Sequence, residues 1–197
     1  MRQPNIKTKR LLLRPLTKND EQAVFAYAKL DAIGPKAGWE PHQSLKDTRR
    51  FINNALDKKT QQQLGVFAVV IRKTNQMIGT VEIHSLEQGY KAEIGMVCHP
   101  DHQNQGYMSE AAKAMIIYAF EHMKLRRLEY AHFPNNLASE KLRRKLNFRE
   151  EGLLRNHFKR YDGLVLDFVV SSLTDDDYQE DYYDIYLPFK KDMTIYF

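Results

Sequence analysis

Three runs rich in β-branched and aromatic residues dominate the middle of the chain: Val66-Phe67-Ala68-Val69-Val70-Ile71, Met77 to His84, and Ala92 to Cys98. Only Lys73-Thr74-Asn75-Gln76 and Glu87-Gln88-Gly89 mark the breaks between them. Connections this short join antiparallel neighbours, because a parallel pair needs a crossover of about a dozen residues or more. An antiparallel meander is therefore expected at the centre of the fold.

On either side the periodicity changes. A first strand is expected over about 6 to 14, limited by Pro15. Thr17 can cap a helix with Ala23, Val24, Tyr27 and Ala28 at helical spacing; Ser44, with Asp47 three positions on, starts a second, with Phe51, Ile52 and Ala55 on one side. Gly34 to His42 reads as a loop between them. After the meander come a periodic helix over about 107 to 123, a strand from Arg127 to Phe133 and a helix from Asn136 to Leu146. A hairpin over about 149 to 160 and 164 to 173 turns at Asp162-Gly163. This order predicts a single-domain α+β fold with a mixed, mostly antiparallel central sheet flanked by helices.

The chain carries 43% hydrophobic and 28% charged residues, and its longest apolar runs fall short of the roughly 20 residues that span a bilayer. No membrane association is expected. The single Cys98 excludes an intramolecular disulfide, and the amino-terminal residues lack the apolar segment of a secretory signal. A cytoplasmic setting follows as the expectation. The net charge of +5 is mixed: Lys and Arg gather in 141 to 160, Asp and Glu in 175 to 184. That distribution suits an anionic small ligand and argues against a nucleic-acid partner, for which salt-sensitive RNA affinity would be the mark.

Residues 99 to 112, HPDHQNQGYMSEAA, lead from a strand into a helix. A helix start leaves four N–H groups without intrahelical acceptors and carries the positive end of the dipole, and Gly106 lets a ligand approach the backbone closely. The same stretch also reads as an ordinary strand-to-helix connection. His99, His102 and Cys98 lie on a turn without metal-ligand spacing, so no metal is expected. Cys98 reads as a buried strand cysteine.

Gln103-Asn104-Gln105-Gly106-Tyr107-Met108 resembles the acyl-CoA pyrophosphate loop of the GCN5-related N-acetyltransferases, with Met108 replacing the usual small residue. Thr8 to Arg14 resembles the opening strand of the branch that acetylates ribosomal-protein N-termini. Ala92 to Val97 resembles its fourth strand, and Gly106 to Ala111 its helix start. Asn136-Leu137-Ala138-Ser139, Lys145-Leu146-Asn147-Phe148 and Glu151-Gly152 continue the likeness, which covers residues 8 to 174. Asn104 and Asn147 stand where glycines are usual; Asn tolerates the left-handed region. Met108 fits the loop if it turns toward the core, as its helical spacing with Ala112, Met115, Ala119 and Met123 suggests.

The resemblance implies acetyl-CoA as cosubstrate and direct transfer of its acetyl group to a primary amine. It implies cofactor contacts at Met96, Val97, Cys98, the loop from Gln103 to Met108, Asn136 and Ser139, with an oxyanion donor among the amides of Met96 to Cys98. Ser139 is implied near the CoA sulfur, where a hydroxyl can protonate the leaving thiolate, and Asn136 at the pantetheine. Glu93 matches by position a carboxylate base, with a structural ion pair as the other reading. Glu82 and His84, on one face of the neighbouring strand, are the next candidates, and a water relay is a further one. Trp39 is a candidate lid aromatic over the acceptor, or a packing residue.

The acceptor stays open between a ribosomal-protein or peptide N-terminus and a small-molecule amine; a non-catalytic acyl-CoA-binding module is the reading from another class. Residues 175 to 197, acidic and tyrosine-rich, are expected as an extension packed on the domain or donated to a second copy in a homodimer.

Overall fold

The computed structural model describes residues 3–60 and 64–197. Nine strands form one sheet: β1 Asn5–Lys7, β2 Leu11–Pro15, β3 Gly65–Ile71, β4 Gln76–Glu87, β5 Lys91–Cys98, β6 Arg127–His132, β7 Arg149–Lys159, β8 Val165–Thr174 and β9 Thr194–Tyr196. Their order is β7-β8-β6-β5-β4-β3-β2-β1-β9, antiparallel at each step except between β5 and β6. The predicted meander is β3-β4-β5, and the α+β class holds. The parallel step is made possible by α4 (Tyr107–Ile117), which carries the chain from β5 to β6.

Helices cover both faces. On one, α1 (Glu21–Ala28) and α3 (Leu45–Thr60) bury Val24, Tyr27, Ile52 and Ala55 against Val66, Ala68 and Val70. On the other, Ala111, Ala112, Met115 and Ile116 of α4 pack on Leu13, Phe67, Val81 and Ile94. Alternate residues of one strand thus serve opposite layers, as Val69 and Val70 do.

The expected single strand over 6 to 14 is two strands. Thr8 breaks it: its Oγ1 accepts from the Leu11 N–H at 3.0 Å and its own N–H donates to the Leu11 carbonyl at 2.9 Å, so Thr8 to Arg10 form a turn that pairs Ile6 with Leu13. The predicted loop from Gly34 to His42 contains a helical turn, α2 (Gly34–Ala37), closed by Gly38 in the left-handed region. The long helix is α only to Ile117 and then widens into a π turn over Tyr118–His122. α5 (Leu137–Lys145) is capped by Asn136 Oδ1, which accepts from Ser139 N–H at 3.3 Å, and Asn147 beyond its end has φ +59°, the left-handed conformation expected of it.

Residues 175 to 197 wrap the same chain. Thr174 and Asp177 cap α6 (Asp175–Glu180) reciprocally. Tyr178 and Tyr186 are fully buried; Tyr178 stacks on Phe120 and donates to Glu121 at 2.8 Å. After α7 (Leu187–Lys190), β9 adds to the sheet edge beside β1, with Ile195 opposite Ile6.

Gly79 lies between β3 and β5, where a Cβ would sit 2.0 Å from the Val97 carbonyl oxygen. Backbone on a paired strand cannot give way cheaply. Gly79→Ala is expected to cost about 2–4 kcal/mol of folding free energy, read from urea denaturation midpoints; a cost below about 0.5 kcal/mol would mean the two strands can separate there.

Candidate active site

β5 and β6 pair for three residues only: Lys91 with Arg127, Ala92 with Leu128, Glu93 with Glu129. Beyond that point each strand stays paired on its far side alone, β5 to β4 as far as Cys98 opposite Gly79, and β6 to β8 as far as His132 opposite Val169. The strands part toward their carboxyl ends, and a wedge opens in the middle of the sheet. α4 and α5 follow those two ends, so both helix N-termini face the wedge with their unbonded N–H groups.

Register decides which amides of β5 turn into it. His99 N–H donates to the Ile78 carbonyl at 2.8 Å, continuing the ladder to β4. Alternation then directs the Val97 N–H to β4 and the Met96 and Cys98 N–H groups into the wedge. Gln103 Nε2 donates to the Cys98 carbonyl at 3.1 Å from the open side, in agreement. Of the amides among which an oxyanion donor is expected, those of Met96 and Cys98 thus face the wedge, and that of Val97 belongs to the sheet. The Cys98 thiol, buried, is pushed up to about 11 by desolvation, which leaves it protonated and unsuited to nucleophilic attack.

The loop after β5 is braced by its own side chains. Besides the Gln103 contact, Gln105 Nε2 donates to the Asp101 carbonyl at 2.8 Å, and Arg10 Nη1 donates to the Gln105 carbonyl at 3.0 Å. Gln103 and Gln105 thus hold the backbone, which leaves amides to meet a ligand. Asn104 has φ +59° and Gly106 φ +77°, so the loop uses the αL tolerance of Asn. Gly106 is the N-cap of α4 and offers no capping side chain, so the N–H groups of Tyr107, Met108 and Ser109 have no intrahelical acceptor, whereas Glu110 N–H reaches the Gly106 carbonyl at 3.1 Å. Met108 is half-buried and packs against the core.

Across the wedge, Ser139 lies in the first turn of α5, and the Tyr130 phenol of β6 faces it. Burial pushes that phenol up and the Ser139 hydroxyl pulls it partly back. Asn136 is doubly engaged, with Oδ1 on Ser139 N–H and Nδ2 donating to the Lys36 carbonyl at 3.2 Å. The second contact, which sequence gave no sign of, ties α2 to the start of α5. Trp39, just after α2, is half-buried, packs in the layer of α1 and α3 and meets the His42 ring at 5.5 Å.

Residues 10–149 match the acetyltransferase (GNAT) domain family. The chain belongs to the GNAT acetyltransferases. It is 32% identical over 156 residues to the uncharacterized N-acetyltransferase YoaA of Bacillus subtilis, covering 78% of this chain and 88% of that protein. A solved GNAT acetyltransferase from Bacillus anthracis superposes with a TM-score of 0.78 at 28% identity, over 87% of this chain and 99% of that one. A Vibrio cholerae structure provisionally described as a ribosomal-protein-serine acetyltransferase gives a TM-score of 0.74 at 28% identity, over 86% and 97%. The protein is an acetyl-CoA-dependent N-acetyltransferase with the GNAT fold.

In this GNAT enzyme the sheet face that carries α1 and α3 also presents carboxylates around the root of the wedge. Glu93 ends the paired part of β5, with His84 Nε2 at 3.9 Å. Desolvation raises its carboxyl above the ordinary range; the neighbouring Glu129 and Glu82 add to the rise, and His84 opposes it. Glu151 behaves oppositely. Two hydrogen bonds from Arg127 and one from Ser172 Oγ at 2.7 Å hold it at about 2. Two carboxylates on one face are thus driven apart, Glu151 into a fixed ion pair and Glu93 above the ordinary carboxylate range by desolvation.

An acid whose folded-state pKa is raised contributes stability that is complete below its unfolded value and is lost as pH rises through the folded one. Glu93→Gln should therefore leave thermal stability nearly unchanged near pH 4 and raise it relative to the parent toward about pH 8. A difference in melting temperature that stays constant across that window would show that Glu93 ionises normally.

Proposed function

We propose that this enzyme transfers the acetyl group of acetyl-CoA directly to a peptide α-amine, with the reaction seated in the wedge between β5 and β6. The observation that carries this reading is the parting of the two strands after Glu93 and Glu129, which frees the Met96 and Cys98 amides at the point where two helix N-termini meet. The residues present fit acetyl-CoA: unpartnered amides of Tyr107 to Ser109 for the diphosphate, Asn136 for the pantetheine, and wedge amides for the thioester oxygen.

Acetyl-CoA supplies an activated acetyl thioester. Met96 and Cys98 N–H stabilise the negative charge that gathers on the carbonyl oxygen as the amine nitrogen bonds to carbon. Glu93 removes the amine proton. It stands three residues before Met96, about 10 Å along the strand, so the proton travels through water. Ser139 donates a hydrogen bond to the sulfur as the carbon–sulfur bond breaks and the electron pair leaves with it.

An α-amine, with a pKa near ~8, has a sizeable neutral fraction at physiological pH, whereas lysine near ~10.4 has almost none. A single desolvated carboxylate acting through water suits the former. The likeness to the Vibrio cholerae protein supports the same acceptor. A small-molecule amine is the second reading. Favouring it, α2 is tied across the acceptor side: Asn136 bonds Lys36, Arg160 Nη1 donates to the Pro35 carbonyl at 3.3 Å, and Gly38 abuts Phe158.

Thiol release from acetyl-CoA, measured over peptides with N-terminal Ser or Ala and over polyamines, amino acids and aminoglycosides, separates the two acceptors; peptide turnover at least tenfold above the amines is expected. Stabilisation by acetyl-CoA without turnover of any acceptor would instead make the chain a binding module. Ser139→Ala should lower kcat about 10–100-fold with little change in the acetyl-CoA KM. An unchanged kcat would reduce Ser139 to a residue of the helix start.

A further inference from the structure

Arg10 lies outside every segment that the family likeness assigns to the cofactor, yet its side chain borders the diphosphate loop. The turn set by Thr8 lifts it off the sheet edge toward the start of α4. There Glu110, buried in the first turns of α4, accepts three hydrogen bonds: from Thr8 Oγ1 at 2.6 Å, from the Arg10 N–H at 2.8 Å and from Arg10 Nε at 2.5 Å. The guanidinium stacks on the Tyr107 ring, 4.5 Å from its centroid, and Nη1 holds the Gln105 carbonyl.

The guanidinium is thus held at Nε, at Nη1 and over one π face, which leaves Nη2 beside the loop at Gly106. Nη2 makes no hydrogen bond with any described residue, and it lies 3.4 Å from where a Cβ on Gly106 would stand. The side chain is 42% exposed, so this corner is open to a ligand, while Glu110 is kept behind it in the protein. The ion pair orients the cation outward. A pre-oriented arginine is a strong phosphate donor because it loses little freedom on binding.

We infer that Arg10 is a cofactor-binding residue, whose Nη2 donates to the CoA diphosphate beside the Gly106 and Tyr107 amides. The inference rests on the reading that the α4 N-terminus holds that diphosphate. It also gives a second reason for glycine at 106. Any side chain there would need φ +77°, and its Cβ would stand in contact with Nη2, 3.4 Å away.

The test uses the full chain, with CoA affinity measured by calorimetry at several salt concentrations and acetyl-pantetheine, which lacks phosphates, as a control substrate. Arg10→Gln should weaken CoA at least about tenfold, the loss expected for one charge-assisted hydrogen bond. It should also flatten the salt dependence of binding, and it should leave kcat/KM for acetyl-pantetheine within about twofold. Arg10→Lys, which keeps the charge, should retain the parent's salt dependence and serves if the glutamine variant folds poorly.

Unchanged CoA affinity in Arg10→Gln would overturn the inference. So would weakened affinity with an unaltered salt dependence, or an equal loss on acetyl-pantetheine; either would make Arg10 a brace for the loop only. Failure of the parent protein to bind CoA at all would instead overturn the diphosphate reading itself.

Discussion

The molecule depends on a sheet that is stitched on both sides of its centre and left open in the middle. β5 is held by β4, and β6 by β8, through ladders that run well past the point where β5 and β6 part. Sheet backbone without a partner is costly to bury, so the opening needs something to offset it. Part of the answer lies within the protein, where Gln103 satisfies the Cys98 carbonyl. Among the described residues the Met96 and Cys98 amides have no such partner, and donors left available there fit a site for electron-rich ligand atoms.

Holding a wedge open also requires that the two half-sheets keep their spacing. α4 does this on one face, since it leaves β5 and returns to β6 with a wholly buried inner side. On the other face Arg127 ties β6 to β7 through Glu151 near the root, and α2 ties the first half to the second through Asn136 and Arg160. The C-terminal segment works at a distance. Tyr178 and Lys190 converge on Glu121 in the π turn and fix the far end of the α4 segment, whose near end carries the loop.

Much of this was legible in the residues. Short turns and β-branched runs gave the meander; Ser44 with Asp47, and Asn136, marked helix starts; Asn104 and Asn147 adopt the left-handed conformations that their side chains tolerate. What was hidden needed contacts over long sequence distances or knowledge of register. Thr8 reads as one more β-branched strand residue until Glu110, 102 positions away, accepts its hydroxyl. Val97 looks equivalent to Met96 and Cys98 until the pairing with β4 fixes which way each amide turns. The hydrogen bonds of the Gln103 and Gln105 side chains to backbone carbonyls are likewise invisible in a loop motif. The α2 turn escaped because Gly34-Pro35 and Gly38 are punctuation in a sequence, although Pro35 and Gly38 suit the two ends of one helical turn.

Electrostatics divides the site along the same line as the backbone. At the carboxyl ends of β5 and β6 lie amide donors, two helix N-termini and the Arg10 guanidinium, all favouring negative charge. At the root lie Glu93 and Glu82, with Glu129 and Glu151 both paired to Arg127. In the proposed reaction a cationic acceptor must lose its proton before it can meet the carbonyl carbon among the amides. Glu93 stands at that boundary with a carboxyl raised by its surroundings, while Glu151 is fixed low by Arg127 and Ser172. The separation also argues against a covalent acyl-enzyme route. Cys98 sits at the donor end, with a thiol that burial pushes up to about 11 and with the carboxylates at the far end of the wedge, which supports the free amine as the nucleophile of the proposed reaction.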